Sequence, residues 1–132
     1  MRSTSLLVLV VVLSLQDAAA REIPRPTIPD EFLGTWAPSA EPCKEGDRSA
    51  IVLSPKEYAG PIGVCGIETV IETPGRDAPI YSARMLCSSS GAQAQKNLII
   101  RPEGSGQMSV GPTFEGLVAH RRCPASVPPA KP

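Results

Sequence analysis

The side chains best suited to chemistry in this chain are four cysteines and a single histidine. His120 could act as a general base, but Arg121 and Arg122 follow it directly, and two cations oppose its protonation. The serine run 88–90 lacks the Gly-x-Ser-x-Gly turn that presents a hydrolase nucleophile. The sequence therefore predicts no catalytic residue, no cofactor and no enzyme.

The cysteines are predicted to be structural. An even number of cysteines in a short exported chain is typical of a disulfide framework, and disulfides consume the thiolates that nucleophilic chemistry needs. The spacing contains no Cys-x-x-Cys element and the chain has one histidine, so no metal site is expected. The four are Cys43, Cys65, Cys87 and Cys123.

Residues 1–20 have the three parts of a secretory signal peptide. Arg2 gives a positive start, residues 6–13 form an apolar core, and three alanines at 18–20 supply a small-residue cleavage site. The apolar run is shorter than the ~20 residues that a membrane span requires. We therefore expect cleavage after Ala20 and a secreted or periplasmic protein without a membrane span in its mature chain.

The charge balance argues against two classes of partner. Thirteen basic and thirteen acidic residues give a formal net charge of zero. A neutral chain has no electrostatic attraction for nucleic acid or for an anionic membrane surface. We expect a monomer that binds neither.

Proline and glycine divide the rest of the chain into three parts. Residues 21–31 form a proline-rich arm, predicted to be extended and so loosely held that its removal leaves the melting temperature nearly unchanged. Residues 32–123 form the folded domain, and residues 124–132 form a proline-rich tail predicted to be disordered.

The folded domain is predicted to be all-β, a small antiparallel up-and-down barrel or sandwich of about seven strands with two disulfides. Short apolar or β-branched runs alternate with turn residues, and no window keeps an apolar period of 3.6 residues for three turns. Residues 55–61, 74–77 and 103–106 are predicted turns. The predicted strands are 33–37, 50–54, 64–72, 79–88, 96–101, 107–110 and 114–121.

The third and fourth of these strands can be paired in one register, with a turn at 73–78. All four pairs then lie on the same face of the sheet, because successive side chains of a strand point to opposite faces. The pairs are Cys65 with Cys87, Ile67 with Met85, Thr69 with Ala83, and Ile71 with Tyr81. The other face would carry Gly66, Glu68, Val70 and Arg84, including a Glu68–Arg84 ion pair.

Alternating strand direction favours one disulfide pairing. Cys43 precedes the second strand and Cys123 ends the seventh, so both lie at one end of a seven-stranded meander, and Cys65 and Cys87 lie at the other. This predicts the bridges Cys43–Cys123 and Cys65–Cys87. The pairing Cys43–Cys65 with Cys87–Cys123 stays open if a strand is missing or helical.

Gly34, Thr35 and Trp36 open the first strand, and two arginines lie near the end of the last. This pattern resembles the calycin-type barrels, lipocalins and their relatives, in which the tryptophan plugs one barrel end and an arginine packs over its ring. The resemblance implies structural roles for Gly34, Trp36 and Arg121, or for Arg122 in place of Arg121, with a cation–π contact.

Residues 26–36 also resemble the beginning of small periplasmic inhibitors of bacterial metalloproteases. Those proteins are eight-stranded barrels whose N-terminal segment enters the protease cleft. This chain departs from them in having four cysteines where that family resembles a one-disulfide scaffold, and in having seven predicted strands. The resemblance implies a protein partner such as a protease.

Three functions from different classes follow. The first is an exported binding protein, including a protease inhibitor, that acts through the arm or an open barrel end. The second is a carrier of a small ligand in the barrel, although a chain of this length leaves little interior volume. The third is an enzyme of the cell envelope, for which the sequence offers the least support.

Overall fold

The structure is a computed structural model that describes residues 21–44 and 46–125. The predicted signal peptide and residues 126–132 of the predicted tail lie outside the described residues. Within them, the chain forms nine β-strands and one short 3-10 helix, η1. The elements are β1 (Ile23–Arg25), η1 (Asp30–Phe32), β2 (Gly34–Pro38), β3 (Ile51–Ser54), β4 (Glu57–Gly60), β5 (Gly63–Thr73), β6 (Ile80–Ser89), β7 (Ala92–Gly104), β8 (Gln107–Gly111) and β9 (Val118–Arg122).

Strands β2 to β9 form a closed antiparallel barrel. Each pairs with the next in sequence, and the last strand, β9, pairs with the first, β2, so the sheet returns on itself. Closure pairs both edges along most of the strands and so removes most of the exposed sheet edge. The prediction of a small antiparallel all-β barrel is confirmed.

The barrel contains eight strands because β4 lies inside the segment 55–61, which the sequence predicted to be a turn. Tyr58 of β4 is buried and lies opposite Leu53 of β3 and Cys65 of β5. The four residues of β4 are too few to show a strand period, but they are enough to pair with a neighbouring strand on each side.

The predicted register of β5 and β6 is confirmed at the disulfide end and wrong beyond it. Cys65 lies opposite Cys87 and Ile67 opposite Met85, as predicted. The register then shifts by one residue between Ile67 and Thr69. A bulge of this kind moves every later side chain of the strand to the other face.

The shifted register turns Val70 and Glu72 inward, opposite Ala83 and Tyr81. Both are buried, whereas Thr69, predicted to face inward, is exposed. Arg84 lies opposite Thr69, and the two ion pairs found among the described residues do not include the predicted Glu68–Arg84 pair.

Both predicted disulfides, Cys43–Cys123 and Cys65–Cys87, are confirmed. The argument from strand direction holds only for the second, since with eight strands the last strand ends opposite the place where the second begins. The backbone N–H of Cys123 donates to the carbonyl of Thr35 near the beginning of β2. Residues 39–43 therefore run back along the barrel beside β9 to bring Cys43 there, with its Cα 5.7 Å from that of Cys123.

The arm is extended, as predicted, but it is part of the fold. β1 pairs with the second half of β5, beyond the residues that β4 occupies. Ile28 is fully buried, and its N–H donates to the carbonyl of Pro55 at 2.9 Å. The arm thus completes the barrel wall and then passes under one barrel end into η1.

The interior of the barrel is filled by one cluster of buried side chains. Val, Ile and Leu supply part of it, and two methionines and four aromatic side chains fill the wider spaces. Its members from the arm and η1 pack against those from the strands, which joins the N-terminal segment to the barrel interior. The largest fully buried side chains are Ile28, Leu53, Met85, Ile100, Met108 and Val70.

Candidate functional site

His120, the one histidine, lies inside the barrel and not in a surface site. Its side chain is 6% exposed, and Nδ1 lies 2.8 Å from the carbonyl oxygen of Val118. Burial lowers the pKa of His120 below its ordinary value, which favours the neutral ring. Because side chains alternate between the two faces of a strand, the His120 ring points into the barrel and the Arg121 side chain points outward. The two residues are adjacent in the chain but lie in different environments.

Other groups that could do chemistry are dispersed. Ser88, Ser89 and Ser90 belong to the end of β6 and to the tight turn into β7. The four cysteines are joined in disulfides. Within residues 21–44 and 46–125, no group of three or more His, Cys, Asp or Glu side chains is placed to hold a metal ion.

One end of the barrel, the closed end (η1, Trp36 and Arg122), is sealed by packed side chains. The buried Trp36 ring donates from Nε1 to the carbonyl oxygen of Phe32 at 3.0 Å. The guanidinium carbon of Arg122 lies 4.4 Å from the centre of the Trp36 ring. Arg122 also donates to the carbonyl oxygens of Glu31 and Leu33, so one cation holds both the ring and the end of η1.

Of the two arginines weighed for this role, Arg122 takes it and Arg121 does not. Trp36 and Arg122 are cross-strand partners, so both side chains point to the same side of the sheet. Arg121 therefore points outward, where it donates to the carbonyl oxygen of Glu41 in the segment that carries Cys43. The choice depends on the register between the first and last barrel strands, which a resemblance of isolated motifs does not fix.

Gly34 has two physical reasons to be glycine. Its φ of 122° lies in a region that side chains with a Cβ rarely adopt. A Cβ built there would also lie 2.9 Å from Nη1 of Arg122. Residue 34 thus makes room for the arginine that covers Trp36.

A buried carboxylate beside the closed end is a feature that the sequence reasoning missed. Glu72 accepts hydrogen bonds from Nη2 of Arg25 and from the hydroxyl of Tyr81, each at 2.9 Å. The Tyr81 ring meets Phe32 edge to face, with ring centres 5.1 Å apart. Arg25 of the arm, Glu72 of β5 and Tyr81 of β6 therefore join three segments that are far apart in sequence.

The two titrating groups of this cluster shift in opposite directions. The hydrogen bonds from Arg25 and Tyr81 lower the pKa of Glu72, so the carboxylate stays ionised. Burial, with the hydrogen bond to Glu72, raises the pKa of Tyr81 to about 12. The cluster is thus a fixed ion pair with a neutral donor, a structural arrangement that ties the arm to the wall.

The opposite end of the barrel, the open rim (residues 60–64, 88–92 and 111–118), carries exposed apolar side chains. Alternating strand direction places the β4–β5, β6–β7 and β8–β9 connections at this end. Of the five large hydrophobic side chains exposed in the described chain, the open rim carries four, and Ile23 lies at the other end. The four are Ile62, Val64, Phe114 and Val118, with exposed fractions of 38%, 42%, 59% and 51%.

Comparisons with protein-family models, with curated proteins and with solved structures find no match for this chain. The class that the structure defines is therefore one of architecture, a disulfide-braced, closed eight-stranded antiparallel barrel with an added N-terminal strand. The calycin-type and inhibitor resemblances stay predictions. No helix within the described residues is long and apolar enough to cross a membrane.

Proposed function

We propose that this chain is an exported binding protein that docks a protein partner on its open rim, with inhibition of a protease as the first activity to test. The observation that carries the proposal is the concentration of exposed apolar side chains at one end of a rigid barrel. Exposed apolar residues that cluster together favour protein–protein contact. Two disulfides fit the oxidising compartment in which a secreted or periplasmic protein works.

The docked arm makes the rim a better candidate than the N-terminus. After cleavage at Ala20, only Arg21 and Glu22 precede β1. Two extended residues reach roughly 7 Å, which is a short probe for a protease cleft. The rim connections, by contrast, project from strand ends that the barrel and the Cys65–Cys87 bridge hold in place.

A rigid rim has an energetic advantage for binding. Association costs less when the contact residues are already ordered, because little side-chain and loop freedom is lost. The filled interior supports a surface role over the carrier alternative, since buried side chains occupy the space where a ligand would bind. The position of His120 gives the enzyme alternative no support.

The test is a pull-down from secreted or periplasmic extract, with the disulfide-bonded chain from Arg21 onward as bait, followed by inhibition assays on any protease retained. The double variant F114E/V118E should lose the partner. The matched control I23E changes an equally exposed residue at the other barrel end and should keep it. Retention of the same proteins by F114E/V118E as by the unmodified chain would refute rim docking.

A further inference from the structure

One strand of the barrel has an edge that closure does not cover. β7 is thirteen residues long, but its pairing with β8 begins only at Ile99, opposite Gly111. Residues 92–98 pair with β6 alone. In the described chain, the other edge of this stretch has no strand beside it, and residues 92–97 are all exposed.

The open edge of β7, residues 92–98, lies beside the apolar part of the open rim. β8 ends at Gly111, and the chain then turns away through residues 112–117 before β9 begins at Val118. A strand added to β7 would therefore continue the line that β8 leaves. The two most exposed large apolar side chains belong to the segments next to that line, Phe114 to the β8–β9 connection and Val118 to β9, where it pairs with Val110 of β8.

Backbone groups at such an edge are ready to bind an extended peptide. Unpaired N–H and C=O groups along a strand act as a template for a further strand, the mode of recognition called β-augmentation. Main-chain hydrogen bonds would supply affinity, and side chains on alternate positions would supply specificity. The edge thus specifies an extended segment and not a helix.

The charges of the β6–β7 hairpin indicate which kind of segment could bind the open edge of β7. Residues 80–98 contain two charged side chains, Arg84 and Lys96, and both are basic. A second copy of the chain, paired antiparallel about Gln95, would place the two Lys96 side chains on one face as diagonal neighbours. Like charges at that spacing oppose self-pairing, whereas a carboxylate on the face of Lys96 gains from that cation. Arg84 is the cross-strand partner of Asn97 and therefore lies on the other face of the hairpin.

We propose that the open edge of β7 binds an extended, acidic segment of the partner protein as an added strand, with a carboxylate set against Lys96. This inference rests on the proposed function, because it names the surface and the chemistry of a protein partner. It adds backbone pairing to the apolar contacts of Phe114 and Val118. It also predicts that proline within the partner segment abolishes binding, because proline has no N–H to donate.

The test uses end-blocked heptapeptides as probes, Thr-Val-Glu-Val-Glu-Val-Thr and its counterpart with lysine in place of glutamate. Binding to the disulfide-bonded chain from Arg21 onward is followed by amide chemical shifts and hydrogen exchange. The acidic peptide should shift and protect amides of residues 92–98, and should bind at least about tenfold tighter than the basic one. The variant K96E should reverse this preference.

The matched control is R76E, which reverses an exposed charge in the β5–β6 turn at the other end of the barrel and should leave the preference unchanged. Equal binding of the two peptides, shifts confined to other residues, or no binding at millimolar peptide would each overturn the proposal. So would a dimer of the free chain joined through residues 92–98. If the pull-down partner is lost with F114E/V118E but kept by K96E, rim docking stands and the acidic-strand proposal fails.

Discussion

The docked arm makes a quantitative prediction at Ile28. Its side chain is fully buried in the core cluster, whereas Ile23, in the same arm, is 48% exposed. Truncating a buried isoleucine to alanine costs about 2–5 kcal/mol. We expect the lower half of that range for I28A, about 2–3 kcal/mol, because the arm end can relax toward the space left behind. At 4–8 °C per kcal/mol for a domain of this size, the melting temperature should fall by roughly 10–20 °C.

The assay is urea and thermal unfolding of the oxidised chain, followed by far-ultraviolet circular dichroism and by Trp36 fluorescence. I23A is the matched control, since it makes the same substitution in β1 at an exposed position, and it should cost less than about 1 kcal/mol. If I28A loses no more stability than I23A, the arm is not packed under the barrel in solution. The prediction from the sequence, a loosely held arm, would then be correct.

Three further perturbations test the closed end and the core. R122A should cost about 0.5–2 kcal/mol of unfolding free energy through its lost contact with the tryptophan ring, and R121A should cost less; equal losses would contradict the assigned stacking. G34A should cost about 1–3 kcal/mol because of its positive φ, while G66A, where an added Cβ would have no atom within 4 Å, should be nearly neutral; similar denaturation midpoints for the two would refute the steric argument. Because burial lowers the pKa of His120, the unfolded chain binds its proton first as the pH falls below about 6.5. Stability should therefore decline from pH 7 toward the lowered pKa, and H120Q should flatten that decline; an unchanged slope in H120Q would exclude this residue as its source.

The sequence predicted the barrel because its signals are local. Alternating strands and turn residues depend on near neighbours in the chain, and they led to an antiparallel all-β fold and to the Cys65–Cys87 bridge. The pairing Cys43–Cys123 was also correct, but the strand-direction argument for it was not, because the barrel has an eighth strand. The strand β4 was not predicted because it is only four residues long and lies between Pro55 and Pro61. Its strand conformation is specified by neighbours on both sides, which are not visible in the segment itself.

The closed end was predicted in part for the same reason. Gly34 and Trp36 form a local motif, and the structure places them together. The choice between Arg121 and Arg122 depends on how the last strand pairs with the first, a contact across almost the whole chain. The open edge of β7 could not be predicted either, since it depends on where β8 begins to pair.

The bulge in β5 and the docking of the arm, two departures from the sequence predictions, meet at one side chain, Glu72. Val70 and Ile71 are both apolar, so the sequence pattern accepts either register after Ile67. The shifted register places Glu72 inside, and a buried carboxylate is strongly unfavourable unless it is hydrogen-bonded and paired. Tyr81 alone supplies one donor, and Arg25 supplies the cation only when β1 lies along β5. The bulge and the docked arm therefore support each other, because β1 brings Arg25 to the carboxylate that the bulge turns inward.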